Sequence, residues 1–329
     1  MPATAHNSDR THRTFNRNGF NHHDTHHRLL PLREPFMSQP HTIAVLGLGA
    51  MGHAFAANLL RSGLGVHVWN RTRSRGEDLA RRGAVNAASA ADAARGAGFV
   101  ITMVPDFDAT HAVLLGEAGA LSTLPERAVV IQMGTIGVAQ TERLIEAVSR
   151  ARPDVTLIDA PVSGTKAPTE QGTVSVLASG DRQGAAGIET VFGAIAKRVV
   201  WLGEAGAGSR MKLVVNAWLI HMMQGIAESA RLAQKLGFTT DEFWSVLDGG
   251  PLAAPYARAK LDMIGGGDYS AQMALSWGLK DARLALEAGG EASLPILART
   301  SELWAEAERA GLGDEDIAVV HEYLRRQTH

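Results

Sequence analysis

The sequence predicts an α/β chain in which a mainly parallel, doubly wound sheet is followed by an all-helical region. Three observations predict it. Short apolar, β-branched runs alternate with helix-length segments from Thr42 onward. The strand signals stop after Leu202, and a long helical pattern over about 209–236 then leads into further helices with no strand between them. A parallel sheet built this way is covered on both faces, because each crossover helix must return over it.

The first strand is read in Thr42-Ile43-Ala44-Val45-Leu46, and the helix after it presents Phe55, Leu59 and Leu60 at helical spacing. Further strands are expected at 65–69, 99–104, 128–132, 155–159, 173–177 and 198–202. After the long helix, others are expected near 241–247, 254–263, 271–288, 295–310 and 314–325. Gly237, Gly249-Gly250, Gly265-Gly266-Gly267 and Gly311-Leu312-Gly313 fit helix ends better than ligand loops. The expected division is a tail at 1–37, a nucleotide-binding domain at 38–203 and an all-α domain at 204–329, joined by the long interdomain helix.

Composition removes several function classes. The chain has 329 residues, 45% hydrophobic and 20% charged, which suits two globular domains rather than a disordered polymer. Its 32 Lys and Arg against 34 Asp and Glu give a formal charge of -2, so no general attraction to nucleic acid is expected. Without cysteine there are no disulfides, thiolate metal sites or cysteine nucleophiles. No apolar stretch is long enough to span a membrane, and a cytoplasmic protein is expected. Residues 1–37 carry His6, His12, His22, His23, His26 and His27 without apolar periodicity. They are read as a solvated, disordered tail or an upstream-extended start before Met37, rather than as a metal site.

Gly47-Leu48-Gly49-Ala50-Met51-Gly52 is a G-x-G-x-x-G sequence lying between the first strand and the first helix. In that setting it marks a Rossmann-like dinucleotide site: the glycines allow the tight turn, the approach of the pyrophosphate and close helix–strand packing. The second strand ends Val68-Trp69-Asn70-Arg71-Thr72, where an NAD-specific site usually places an acid against the ribose. Asn70, Arg71 and Thr72, helped by Arg73 or Arg75, suit a 2′-phosphate instead, so NADP(H) is expected. The alternative is that these arginines form only a solvated helix start.

Two further segments carry chemistry. Asp159-Ala160-Pro161-Val162-Ser163-Gly164-Thr165-Lys166 follows a strand, and Gly206-Ala207-Gly208-Ser209-Arg210-Met211-Lys212-Leu213-Val214-Val215-Asn216 opens the long helix. Lys212 and Asn216 are four residues apart and share one helix face. A lysine ammonium suits an oxygen that gains charge as its carbon is reduced, and Asn216 orients that oxygen or the amine. Ser163, Gly164 and Thr165 offer a hydroxyl and backbone N–H groups to a carboxylate.

With the glycine fingerprint, these segments resemble, in the same order, the β-hydroxyacid dehydrogenase family over about residues 40–325. The resemblance implies a Rossmann-like domain and an all-α domain, a homodimer or homotetramer, and a site between the domains. It implies that Val104 and Pro105 border the adenosine side, that Thr135 stands beside nicotinamide and substrate, and that Lys280 and Asp281 complete the site. Ser163, Thr135, Lys212 and Asn216 are then the catalytic set. The run from Ser163 to Gly172 is similar to the glyoxylate and succinic semialdehyde reductase branch, implying NADPH-dependent reduction of a small aldehyde or keto acid. Trp218, Trp277, Tyr256, Met222 and Met273 either line a more apolar pocket or serve as helix core or dimer contact. An apolar pocket would suit the related imine reductases, which usually place Asp or Tyr where Lys212 stands. A cofactor-binding sensor without turnover is the non-enzymatic alternative.

Overall fold

The computed structural model describes residues 42–327. The tail expected at 1–37 lies outside the described residues. Six parallel strands, β1 (Ile43–Leu46), β2 (Val66–Trp69), β3 (Val85–Asn86), β4 (Phe99–Thr102), β5 (Val129–Gln132) and β6 (Thr156–Asp159), pair in the order β3-β2-β1-β4-β5-β6. The order reverses between β1 and β4, which open a crevice at their carboxyl ends. β1, β4 and β5 are buried throughout, as expected for apolar strands covered on both faces. On one face Phe55 and Leu59 of helix Ala50–Arg61 pack over Val45 and Ile101; on the other, Leu144 and Val148 of helix Val138–Ala151 cover Val100 and Val130.

The strands expected at 173–177 and 198–202 do not extend this sheet. They form a second, three-stranded sheet of β7 (Val162–Ser163), β8 (Val174–Ala178) and β9 (Ala196–Trp201). A parallel crossover from β6 needs a dozen or more residues and a covering helix. Only two residues separate β6 from β7, and β7 pairs antiparallel with β8 instead.

Beyond β9 the described chain is helical. Helix Ala207–Lys235 runs 29 residues, and Thr240–Leu247, Pro255–Gly266, Leu275–Gly289, Pro295–Ala307 and Val320–Arg326 pack around it over a core that includes the fully buried Trp304. Three expected boundaries move. The helix expected from 271 begins at Leu275, because the N–H groups of Gln272 and Met273 donate to the Asp316 carboxylate at 2.9 and 3.1 Å rather than entering a helix. The helix expected to reach 310 ends at Ala307 in a wide turn whose Gly311 has φ +87°. The helix expected from 314 starts at Val320, since Asp316 caps a short turn by accepting from Ala318 N.

Asp316 is fully buried and also accepts from Lys260 Nζ at 2.5 Å, with Lys260 itself 3% exposed. Removing one partner of such a pair leaves the other charge without compensation. Lys260→Met should lower the unfolding free energy by about 3–5 kcal/mol, read from the midpoint of urea denaturation.

Candidate active site

The three fingerprint glycines are required for different reasons. Gly47 has φ +100°, and a Cβ there would lie 2.4 Å from the carbonyl oxygen of Met103. At Gly52 a Cβ would meet the Gly47 carbonyl at 2.0 Å, so the third glycine lets helix and strand close together. Around Gly49 nothing of the protein lies within 4 Å of a Cβ, and its φ of -68° is open to any residue. Neither backbone nor packing demands a glycine there; a pyrophosphate approaching the helix start does, which is the fit the cofactor requires.

Asn70, at the end of β2, accepts from Leu48 N through Oδ1 at 3.0 Å and donates through Nδ2 to Thr72 O at 3.0 Å. It therefore ties the glycine loop to the following turn. Arg75 reaches the cleft wall beside it, whereas Arg71 and Thr72 are exposed and stand outside that wall. Leu48, expected among the cofactor contacts, turns its side chain into the core and is 2% exposed.

Opposite the glycine loop, two turns converge: Met103, Val104 and Pro105 after β4, and Met133, Gly134 and Thr135 after β5. Sequence reasoning missed the residue that sets the second turn. Gln132 is fully buried; its Oε1 accepts from Thr102 Oγ1 at 2.9 Å and Gly134 N at 3.0 Å, and its Nε2 donates to Gly134 O at 2.8 Å. A glutamine closing an otherwise apolar strand is the signal that marks it. Lys280 completes the turn from the helical side, donating to Thr135 O at 2.6 Å and Pro105 O at 3.3 Å.

Helix Ala207–Lys235 starts against the end of β6. The buried Asp159 carboxylate accepts from Ser209 N and from Ser209 Oγ, both at 2.7 Å, and Ser179 Oγ accepts from Gly208 N at 2.9 Å. Burial pushes the Asp159 carboxyl above its ordinary range, opposed by these hydrogen bonds. Gly208 is required here, since a Cβ would lie 2.3 Å from Leu177 O. One turn further, Lys212 faces the cleft, and no hydrogen bond or ion pair among the described residues engages its ammonium. By exposed area the residue is half-buried. Burial pulls it below the ordinary lysine value; Asp281 pulls it back up and Lys280 pushes it further down.

Asn216 does not reach the cleft wall. It is 1% exposed and donates to Asp281 Oδ2 at 2.5 Å, so it stands behind Asp281, whose Oδ1 lies 3.4 Å from Lys280 Nζ. Ser163 is likewise outside the wall, because it pairs with Ser175 in the small sheet while Val162, Gly164 and Thr165 line the cleft. Met273 and Trp277 form part of the opposite wall. Of the other large apolar residues, Tyr256 joins the helical core, Met222 is half-buried away from the cleft, and Trp218 is 63% exposed. The cleft measures about 510 Å³.

Comparison with known proteins agrees with this fold. Residues 42–203 match the NAD binding domain of 6-phosphogluconate dehydrogenase, and residues 206–324 match the NAD-binding family of NADP-dependent 3-hydroxyisobutyrate dehydrogenase. Glyoxylate/succinic semialdehyde reductase 1 of Arabidopsis thaliana is 33% identical over 285 residues, covering 86% of this chain and 98% of that protein. The chain belongs to the β-hydroxyacid dehydrogenase family. As a member it is an oxidoreductase of CH–OH and C=O groups with an NAD(P)-binding domain. The structure of Mycobacterium tuberculosis 3-hydroxyisobutyrate dehydrogenase superposes with a TM-score of 0.76 at 25% identity, covering 87% of this chain and all of that one. An imine reductase from Pseudomonas sp. shares the fold at a TM-score of 0.57 and 24% identity, again over 87% of this chain and all of that one. No described helix is long and apolar enough to cross a membrane.

The contrast between the glycines gives a direct check on the dinucleotide site. Gly49→Val should leave the thermal midpoint within about 2 °C of wild type while weakening NADPH binding at least about tenfold, measured by fluorescence titration. Gly52→Ala should lower the thermal midpoint.

Proposed function

We propose that this β-hydroxyacid dehydrogenase is an NADPH-dependent reductase of small aldehyde or keto acids, such as succinic semialdehyde or glyoxylate, with Lys212 as general acid. The observation that carries the reading is an unpaired ammonium in the same cleft as the glycine loop, on a helix whose start is pinned by a buried carboxylate. When bound, NADPH supplies the hydride that reaches the carbonyl carbon. The backbone N–H groups at Gly49 to Met51 suit its pyrophosphate, and Val104, Pro105 and Thr135 border it. Asn70 and Arg75, with no acid at the end of β2, support the 2′-phosphate over a bare ribose.

Lys212 holds its proton toward the carbonyl oxygen, stabilising the charge that develops there and then donating. Asn216 acts through Asp281: its hydrogen bond fixes the carboxylate whose field raises the proton affinity of the Lys212 amine against its burial. The backbone of Gly164 and Thr165 anchors the substrate carboxylate. Ser163, paired through its backbone with Ser175 in the small sheet, fixes the start of that turn. Lys280 maintains the Thr135 turn.

The apolar Met273 and Trp277 favour a second reading, reduction of a C=N substrate. Lys212 weighs against it, because an iminium carbon develops no oxyanion for an ammonium to stabilise. A silent NADP(H) sensor would bind NADPH without turnover. The apolar stripe Met211, Val214 and Trp218 on the outer face of the long helix, 38 to 63% exposed, suits a homodimer or homotetramer.

The test is NADPH oxidation across glyoxylate, succinic semialdehyde, tartronate semialdehyde and a cyclic imine. Lys212→Ala should cut turnover of the semialdehyde about 10²- to 10⁴-fold with NADPH affinity nearly unchanged. Turnover confined to the imine would overturn the carbonyl reading. The pH profile follows from the direction of the Lys212 shift. Reduction needs the protonated amine, and burial makes it lose its proton below the ordinary 10.5, so the rate of reduction should be level at low pH and fall as pH rises, with a midpoint under that value.

A further inference from the structure

Five charged side chains line the cleft: Arg75, Lys166, Lys212, Lys280 and Asp281. Four are cations, and three of these have work already. Arg75 stands by Asn70 at the adenosine end, Lys280 is bonded to two carbonyls, and Lys212 faces the reacting oxygen. Lys166 remains. Its one ion pair among the described residues is with Glu170, 3.9 Å away on the same short helix, with both side chains about half exposed. That distance lies at the limit of an ion pair and does not hold the ammonium.

The backbone beneath Lys166 is held firmly. Gly164 has φ +146°, and a Cβ there would lie 2.7 Å from Val174. The buried Thr169 donates to Thr165 O at 2.8 Å, and its own carbonyl accepts from Asn58 Nδ2 at 2.9 Å, which fastens the segment to the helix of the glycine loop. From across the cleft Gln272 Oε1 accepts from Ala167 N at 3.3 Å. A fixed base with a free cation, beside the Gly164–Thr165 turn, is the arrangement of a charge anchor.

We propose that Lys166 is a specificity-determining residue: its ammonium pairs with the anionic group of the substrate and selects carbonyl compounds that carry one over neutral ones of the same length. This rests on the cleft being a carbonyl-reductase site. The one carboxylate in the cleft wall has its oxygens on Asn216 and Lys280, which leaves Lys166 to an incoming anion. The Met273 and Trp277 wall then accommodates the apolar chain between anion and carbonyl.

The experiment compares wild type, Lys166→Gln, Lys166→Glu and Lys166→Arg in two assays. In the first, kcat/KM with NADPH is measured for succinic semialdehyde and for butanal, which lacks the carboxylate. The ratio of the two should fall about 10- to 100-fold in Lys166→Gln, mainly through KM, fall further in Lys166→Glu, and recover in Lys166→Arg. In the second, succinate binding to the NADP⁺-saturated protein is followed by tryptophan fluorescence and should weaken in the same order. A ratio and a succinate affinity both within twofold of wild type in Lys166→Gln would overturn the proposal. Succinate binding that depends on Lys166 in a protein that turns over neither aldehyde would uphold the anchor and sink the reductase reading instead.

Discussion

The constraint on which the site depends is a carboxylate at the end of a strand. Asp159 closes β6, is fully buried, and accepts two hydrogen bonds from Ser209 at the start of the long helix. A helix begins with N–H groups that lack partners, and here a carboxylate from another element satisfies one of them. It also places negative charge where the helix dipole favours it. The joint between strand and helix is thus electrostatic and geometrically exact to within one hydrogen bond. Lys212 sits one turn beyond it, so the amine inherits its position from β6 and not from its own contacts.

The glycines make the same point from the other direction. Gly208 and Gly52 are places where two backbones approach more closely than any side chain permits, and Gly47 and Gly206 are places where φ is positive. Gly49 meets neither condition. In one motif, therefore, two glycines are required by the fold and one is left open on its outer side, although the sequence pattern treats all three alike. The second motif, Gly206-Ala207-Gly208, is wholly structural: it delivers the helix start to Asp159.

Most of the large architecture was legible because it rests on local patterns. Apolar β-branched runs, helical spacing and the G-x-G-x-x-G turn all act over fewer than a dozen residues, and they located five of the six strands of the main sheet and the long helix; the two-residue edge strand β3 is too short to leave such a pattern. What was not legible depends on contacts between distant segments. Asp316 holds residues 272 and 273 out of a helix from more than forty positions away. The small sheet arises because two residues between β6 and β7 leave no room for a crossover. The site shows the same divide. The lysine type at Lys212 and the family resemblance at Thr135 and Lys280 pointed to residues that border the cleft, but Asn216, expected from its helix-face spacing with Lys212, and Ser163, expected from its hydroxyl in a turn, both with the same resemblance, are not in its wall. Asn216 instead holds Asp281, which does face the cleft.

That division of labour explains the charge pattern of the cleft. Lys280 and Lys212 lie near the same aspartate, yet only Lys280 is bonded to carbonyl oxygens and held in place. Its fixed positive charge is one reason the Lys212 amine gives up a proton more readily than a surface lysine. Asp281 opposes this, and Asn216 keeps Asp281 aimed. If Asp281 were absent, burial and Lys280 would act together and lower the proton affinity of the Lys212 amine further. If Lys280 were absent, the Thr135 turn would lose its tie to the helical side and Lys212 would hold its proton more tightly. The three groups form one balance around the Lys212 amine, in which Asp281 raises its proton affinity while burial and Lys280 lower it, and the balance exists because the strand ends and the helices meet at one cleft.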